Sequence, residues 1–359
     1  MRLRSAHSQR GIALIMVLMI VAVLIAIAGG FALSMKVETT LARNASWDTE
    51  LEWMGISGME VAKWALAYPR RSREEHLGQA WAGGHTQGEE NPEAEVSGGG
   101  LKVAVWPDQP PGLDYHVTIE DLDRKFNLNA PQVYQDRELM KAALDLIGLD
   151  ASVIPTIIGS IQDWIDRDSD LSMNGTESDF YETLDPPYRA KNTAMDDISE
   201  LLYVRGIREN PNAFWGSGAP TGRRYTKSAR QSVFEAQLYD TGMRDIFSAF
   251  PLGQGNAGPG MLNINTASRS AMMAIPGMVD GIVAEIERAR QGPDGDIVPL
   301  RPEVVIHDPR MARYFKSQSS TFEVKVTVRA GKANRTYIGR LGRRGGSGFE
   351  LLDFAFQDQ

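Results

Sequence analysis

Between Ile12 and Leu33 the chain runs for 22 residues without a charged side chain, IALIMVLMIVAVLIAIAGGFAL. As a helix rising about 1.5 Å per residue, this stretch is about 33 Å long and crosses the hydrocarbon core of a bilayer. Arg2, Arg4 and Arg10 precede it with no acid among them. That asymmetry predicts a short cytoplasmic N-terminus and translocation of the rest of the chain. Ala26-Ile27-Ala28 ahead of Gly29 would also suit a signal peptidase, so a cleaved secretory signal is the alternative. Such signals ordinarily carry a shorter apolar run, of about 7–15 residues.

The helical pattern continues past Leu33 into polar sequence. Val37, Leu41, Leu51, Met54, Gly58, Val61, Ala65 and Tyr68 recur at spacings of three, four or their sums. Charged residues from Lys36 to Lys63 fill the other face, and no proline occurs before Pro69. This predicts one long helix that is apolar first and amphipathic afterwards. A basic leader ending in Gly11, followed by such a helix, resembles type IV pilin-like subunits. The resemblance implies cleavage after Gly11 by a prepilin peptidase, leaving Ile12 as the mature N-terminus. Most subunits of that family carry Glu at the fifth mature position, which here is Met16. A carboxylate in lipid needs a positive partner. In the family that partner is the N-terminal amine of the neighbouring subunit, so an apolar residue suits a subunit with no neighbour above it. Loss of this Glu is a mark of the K-type minor pseudopilins of type II secretion, which sit at the filament tip.

About 290 of the 359 residues lie beyond the long helix, enough for one large or two ordinary domains. A hydrophobic content of 42% supports a real core. The net charge of −8 and the brevity of the basic runs argue against a dedicated nucleic-acid binder. There is no cysteine, so an exported chain must rely on core burial and, by implication, metal. The five histidines are scattered, which argues against a zinc site of the usual ligands.

After Pro69 comes a Gly- and Glu-rich connection, and then alternating runs at Leu101–Val105 and Tyr115–Ile119 that predict strands. Helical patterns come next at Asp136–Ile147, Val153–Ile165, Met195–Leu202, Ser232–Phe247 and Val279–Arg290. Strands return at Phe322–Val328, Thr336–Leu341 and Phe349–Phe356. The expected fold class is α+β. It comprises a pilin-like long N-terminal helix and an antiparallel sheet, with a large all-helical domain inserted between the strands. The expected boundaries are 1–11 leader, 12–68 helix (membrane-spanning to 33), 69–122 first strands, 123–310 insertion and 311–359 final strands. Within the insertion, Asn127-Leu128-Asn129 and Asn263-Ile264-Asn265 each precede a helix and then a glycine (Gly148, Gly277), with a third partial copy ending at Gly206. The asparagines are expected to cap the helices and the glycines to end them in left-handed geometry.

From Asp163 to Glu200 there are eleven acids, opposed only by Arg167, Arg189 and Lys191. Counting Asp166 as one, Asp168 and Asp170 fall at three and five, Asn174 at nine and Glu177 at twelve. These are oxygen-ligand positions of an EF-hand loop. The sixth position, where that loop needs glycine for its turn, is Leu171. Three carboxylates within five residues repel unless a cation lies among them, and hard oxygen donors favour calcium or magnesium; a solvated acidic loop is the plainer alternative. Asp163-Trp-Ile-Asp-Arg-Asp168, Asn174-Gly-Thr-Glu177, Pro187-Tyr-Arg-Ala-Lys-Asn192 and Asp197-Ile-Ser-Glu-Leu201 together resemble the signature series of the K-type minor pseudopilins (general secretion pathway protein K). The resemblance implies calcium bound by Asp166, Asp168, Asp170, Glu177 and Asp179, with Asp197 and Glu200 as further ligand candidates.

The expected role is therefore that of a non-enzymatic tip subunit of the type II secretion pseudopilus, initiating its assembly and helping export folded proteins. It implies a single-pass bacterial inner-membrane protein with a periplasmic C-terminal domain. The implied partners are I- and J-type minor pseudopilins, meeting the 37–68 helix stripe, together with the major pseudopilin filament and prepilin peptidase. The competing reading is a membrane-anchored DNA receptor, since Leu262–Arg290 resembles a helix-hairpin-helix. Its hairpin, Gly277-Met278-Val279-Asp280, lacks the second glycine and carries an acid beside the turn. Magnesium-assisted phosphoester chemistry is a third class, but no nucleophile motif or phosphate loop accompanies the acids.

Overall fold

The computed structural model describes residues 10–67, 74–82, 94–96, 101–103, 113–216, 239–250, 260–292, 296–330, 333–344 and 348–357. Helix α1, Arg10–Ala67, is continuous through the apolar run and the amphipathic half. Its first part has a mean hydropathy of 3.0 over the most apolar window and is not buried against the rest of the chain. From Leu51 onward one face is buried: Leu51, Met59, Ala62 and Leu66 sit in a common core with Val117, Val324, Val326, Tyr337 and Leu341. The stripe expected to meet partner subunits is therefore covered mainly by the chain's own sheet, while Val37 and Leu41 remain exposed. The reason is that β-branched residues on the sheet's inner face need an apolar cover, and α1 is the element that supplies it.

The sheet has six antiparallel strands in the order β1 (Ala94–Val96), β2 (Leu101–Val103), β3 (Leu113–Asp121), β8 (Thr321–Ala330), β9 (Ala333–Arg344) and β10 (Gly348–Gln357). The two central strands pair with Asp121 opposite Phe322, although nearly the whole helical segment separates them in sequence. The chain thus leaves the sheet and re-enters it at adjacent points.

Between β3 and β8 lie helices α2 (Pro131–Tyr134), α3 (Arg137–Ile147), α4 (Ile154–Ile165), α5 (Ser178–Tyr181), α6 (Asn212–Trp215), α7 (Met243–Ile246), α8 (Arg269–Met273), α9 (Asp280–Ala289), α10 (Pro302–Val305) and α11 (Pro309–Ala312). This stretch is not all-helical. Phe126–Asn127 (β4) pairs in parallel with Phe247–Ser248 (β5), and Leu262–Asn263 (β6) with Phe315–Lys316 (β7). Of the helix expected over Ser232–Phe247, residues 232–238 lie outside the described residues, and in the rest only α7, Met243–Ile246, is helical. The one expected over Met195–Leu202 is a 3-10 turn, Ile198–Tyr203.

The paired Asn-X-Asn motifs do not cap helices. Asn129 instead donates to the carbonyls of Met195 and Phe250 and accepts from Met195 N–H. Asn265 likewise bridges both backbone groups of Leu300. Each buried amide thereby satisfies peptide groups of a distant segment that has no regular partner. All three glycines are left-handed, with φ of 89°, 90° and 81° at Gly148, Gly206 and Gly277, but only Gly148 ends its helix, whereas the turn before Gly206 is capped by Val204 and α8 by Ala274.

Where the helical segment joins the sheet, a buried polar cluster holds the strands together. Asp121 accepts from Ser319 and Thr266 hydroxyls, Asp123 accepts from Ser320 and pairs with Lys316 at 2.8 Å, and Glu75 pairs with Arg343.

Candidate metal centre

Helix α4 buries Ile154, Ile157, Ile158, Ile161, Trp164 and Ile165, and on that same covered side it carries Asp163, which is fully buried. Asp166 is the residue after the helix, with extended backbone and its N–H on Gln162 O. The loop after it folds back hard against α4. A Cβ on Gly159 would lie 2.6 Å from Gly175 N, and one on Gly175 would lie 2.1 Å from Asp163 Oδ2. Only glycine permits this approach. Ser172 N–H donates to Asp163 Oδ1, Ser160 Oγ to Thr176 Oγ1, and Trp164 stacks edge-on against Tyr181. Asp163, Thr176, Glu177 and Tyr181 of the acidic segment are thus buried, while residues 167–171 are exposed.

Four buried oxygens in this segment lack a hydrogen-bond partner among the described residues: Asp163 Oδ2, Asp166 Oδ1, Glu177 Oε1 and Asn192 Oδ1. Asn192, in left-handed geometry at φ 48°, donates its amide to Asp168 O at 2.6 Å and to Glu177 Oε2 at 3.4 Å, which leaves its own oxygen unused. Burial, then the charges of Asp168, Asp163, Glu177 and Asp170, push Asp166 up to about 6. Burial also raises Glu177, with the charges of Asp163 and Asp168 adding to it. Unpaired buried acceptors are costly, and mutually repelling carboxylates add to that cost. Among the described residues no three His, Cys, Asp or Glu side chains form a finished cage by themselves. A cation here is instead suited by a mixed set of carboxylate, amide and backbone oxygens, the donor set of calcium.

The other expected ligands lie around this centre in different ways. Asp168 is exposed and its Oδ1 takes the N–H of Asp170, itself exposed. Asp179 lies in the first turn of α5, where Glu177 is the cap. Asp197 caps the 3-10 turn through Ser199 N–H, and Glu200 completes that capping box. Both Glu200 oxygens are occupied, one by Lys191 and the Asp196 N–H, the other by Trp164 Nε1 at 3.2 Å. Two residues of the centre lie outside the spacing pattern of the acidic loop. Asp163 carries a signal in the sequence, a carboxylate on the apolar side of a helix. Asn192 carries none beyond its place in the Pro187–Asn192 motif.

Two bases of the Leu262–Arg290 unit, Arg269 and Arg290, are used internally. Arg290 donates to the carbonyls of Ile264 and Ala267, and burial lowers its pKa to about 10. Arg269 is ion-paired with Asp280 and Glu287. That arrangement serves packing, not phosphate binding, and the DNA-receptor reading is not favoured.

Residues 124–212, which span this centre, match the family model "Type II secretion system (T2SS), protein K". The chain is 30% identical over 216 residues to type II secretion system protein K of Pectobacterium carotovorum subsp. carotovorum, covering 55% of this chain and 58% of the relative. It is 28% identical over 207 residues to the protein K of Pseudomonas aeruginosa, covering 55% and 58%. The matched part therefore spans somewhat over half the length of these relatives. A solved structure, the GspK-GspI-GspJ complex of the enterotoxigenic Escherichia coli type 2 secretion system, contains a similar chain. Its TM-score is 0.58 at 18% identity, covering 89% of this chain and 99% of that one, a likeness of fold. The chain is thus similar to type II secretion system protein K in sequence over somewhat more than half its length, and similar in fold to a chain of that solved complex.

Proposed function

We propose that this chain caps the tip of a type II secretion pseudopilus, starts its assembly and assists export of folded proteins across the outer membrane. The observation that carries the reading is the K-type match of residues 124–212 in a chain whose α1 is a single apolar anchor with Met16 in place of the family's Glu. The proposed layout has boundaries at 11, 68, 122 and 310, with 123–310 as an inserted domain and everything after the anchor in the periplasm. Prepilin peptidase would act between Gly11 and Ile12, where α1 begins. I- and J-type minor pseudopilins are the proposed neighbours, as in the complex of the similar solved chain, with the major pseudopilin filament below. Calcium would be held by Asp166, Asp168, Asp170, Glu177 and Asp179, to which the geometry adds Asp163 and Asn192; Asp197 and Glu200 would support the site from its rim. The ion would neutralise the carboxylates and fix the loop.

Co-purification tests the reading. Coexpressed with the I- and J-type subunits of its own system, the tagged chain should recover both in one stable complex. Recovery of long filaments composed of this chain alone would refute the tip assignment.

A further inference from the structure

A cleft of about 320 Å³ opens where the end of the sheet meets α6, α7 and the turn that begins at Asp197. One wall is basic. Lys125 donates to the carbonyl of Arg244 at 2.9 Å, and the Arg244 guanidinium lies 5.3 Å from the ring centre of Trp215. Neither cation has a carboxylate within ion-pair distance among the described residues, whereas the neighbouring Arg124 is held at 3.0 Å by Glu120. Two buried donors of residues that line it, Arg124 Nε and Trp215 Nε1, have no acceptor among the described residues. These two and the four oxygens of the acidic centre make up all the unpartnered buried side-chain atoms among the described residues. The cleft is also lined by carboxylates, Glu120, Asp121, Asp197 and Glu323, of which Glu120 is the partner of Arg124.

We propose that this cleft binds an acidic peptide segment of a partner protein, with a side-chain carboxylate seated against Lys125, Arg244 and Trp215. Buried donors without acceptors favour an arriving oxygen, and charge-assisted bonds from Lys and Arg strengthen it. The two signs of charge favour a polypeptide over a free anion. A bare anion meets the cleft's own carboxylates, whereas a peptide offers Asp197 and Glu323 its backbone N–H groups while its own carboxylate meets Lys125 and Arg244. Stacking of Arg244 on the indole fixes the guanidinium in place at little further entropic cost. The proposal stands independently of the secretion reading, since it uses only this cleft.

Isothermal titration of the full chain in detergent tests it. The probes are an acetylated, amidated peptide of three consecutive glutamates between glycines, its glutamine counterpart, and citrate. The glutamate peptide should bind, the glutamine peptide should not, and citrate should be weaker by about tenfold. Arg244→Gln and Lys125→Gln should each weaken the glutamate peptide by about fivefold or more. Trp215→Phe, which keeps an aromatic ring and removes the N–H, should weaken it by about threefold with an unchanged melting temperature. The proposal is overturned by equal binding of the glutamine peptide, by citrate binding as tightly as the peptide, or by no heat at millimolar peptide. Unchanged affinity in Trp215→Phe together with either charge variant overturns it as well.

Discussion

Asp163 and Asp166 show how much one carboxylate's position decides. Both are pressed among other acids with an oxygen left unpaired, so their effect on stability should reverse sign with calcium. In chelator, Asp166→Asn removes a repelled charge and should raise the melting temperature. In millimolar calcium the same variant loses a ligand and should melt below the wild type, which gains about 2.7 kcal/mol at a hundredfold excess over Kd. Differential scanning in both buffers checks this, and the same shift in both would count against a metal. Asp121 makes a different case. Burial and the charge of Asp123 raise its pKa from 3.8 to about 6, against the lowering effect of its Ser319 and Thr266 hydrogen bonds. A carboxyl with a raised folded pKa holds its proton more tightly when folded. Its contribution is therefore present below about 4 and lost as pH rises through about 6. With calcium saturating, Asp121→Asn should flatten the fall in stability between pH 4 and 6.5 by an amount on the order of 1–3 kcal/mol. A pH series of melting curves that runs parallel for the two proteins would refute it.

At the scale of elements, α1 and the sheet are matched by two glycines. A Cβ on Gly55 would lie 2.6 Å from the Tyr337 ring, and one on Gly58 would lie 2.6 Å from a Val326 methyl. Both neighbours are buried side chains in the shared core. Gly58→Leu must push the helix off β8, with an overpacking cost of about 1–3 kcal/mol. It should lower the melting temperature and quicken proteolysis between helix and sheet, while Gly29→Leu, which meets nothing within 4 Å, should do neither. The helix stripe is legible in the sequence because its period is local. What covers it is not, since an apolar face fits a partner subunit and the chain's own sheet equally well. The Asn-X-Asn motifs mislead for a related reason. A side-chain amide caps a helix or bridges a distant loop with the same chemistry, and only the position of Met195 or Leu300 distinguishes them.

For the whole molecule, the decisive fact is that β3 and β8 are neighbours. The helical segment enters and leaves the sheet at paired residues, so its presence does not break the ladder, and the junction is held by Asp121, Asp123 and their partners. An insertion with adjacent ends costs the host little loop-closure entropy beyond its own folding. The other end of the molecule carries the processing prediction. Replacing Gly11 with a bulky residue should leave an unprocessed precursor in membranes that contain prepilin peptidase. N-terminal sequencing of the wild-type mature chain should begin at Ile12; a start near Gly29 would instead identify ordinary signal peptidase.

The sequence by itself determined the anchor, the amphipathic continuation, α3, α4 and α9 nearly to their ends, the alternating final strands, and the acidic segment as a place where carboxylates need company. Each of these rests on periodicity or on close spacing along the chain, which neighbouring residues settle among themselves. The tertiary structure alone decided that Asp163 and Asn192 join Asp166 and Glu177, and that Glu200 is consumed by Lys191 and Trp164. It alone paired two-residue strands from distant segments and brought Lys125 and Arg244 to one cleft. Those outcomes depend on which distant segments meet, and a buried polar atom reveals whether it is satisfied only once the chain has closed around it.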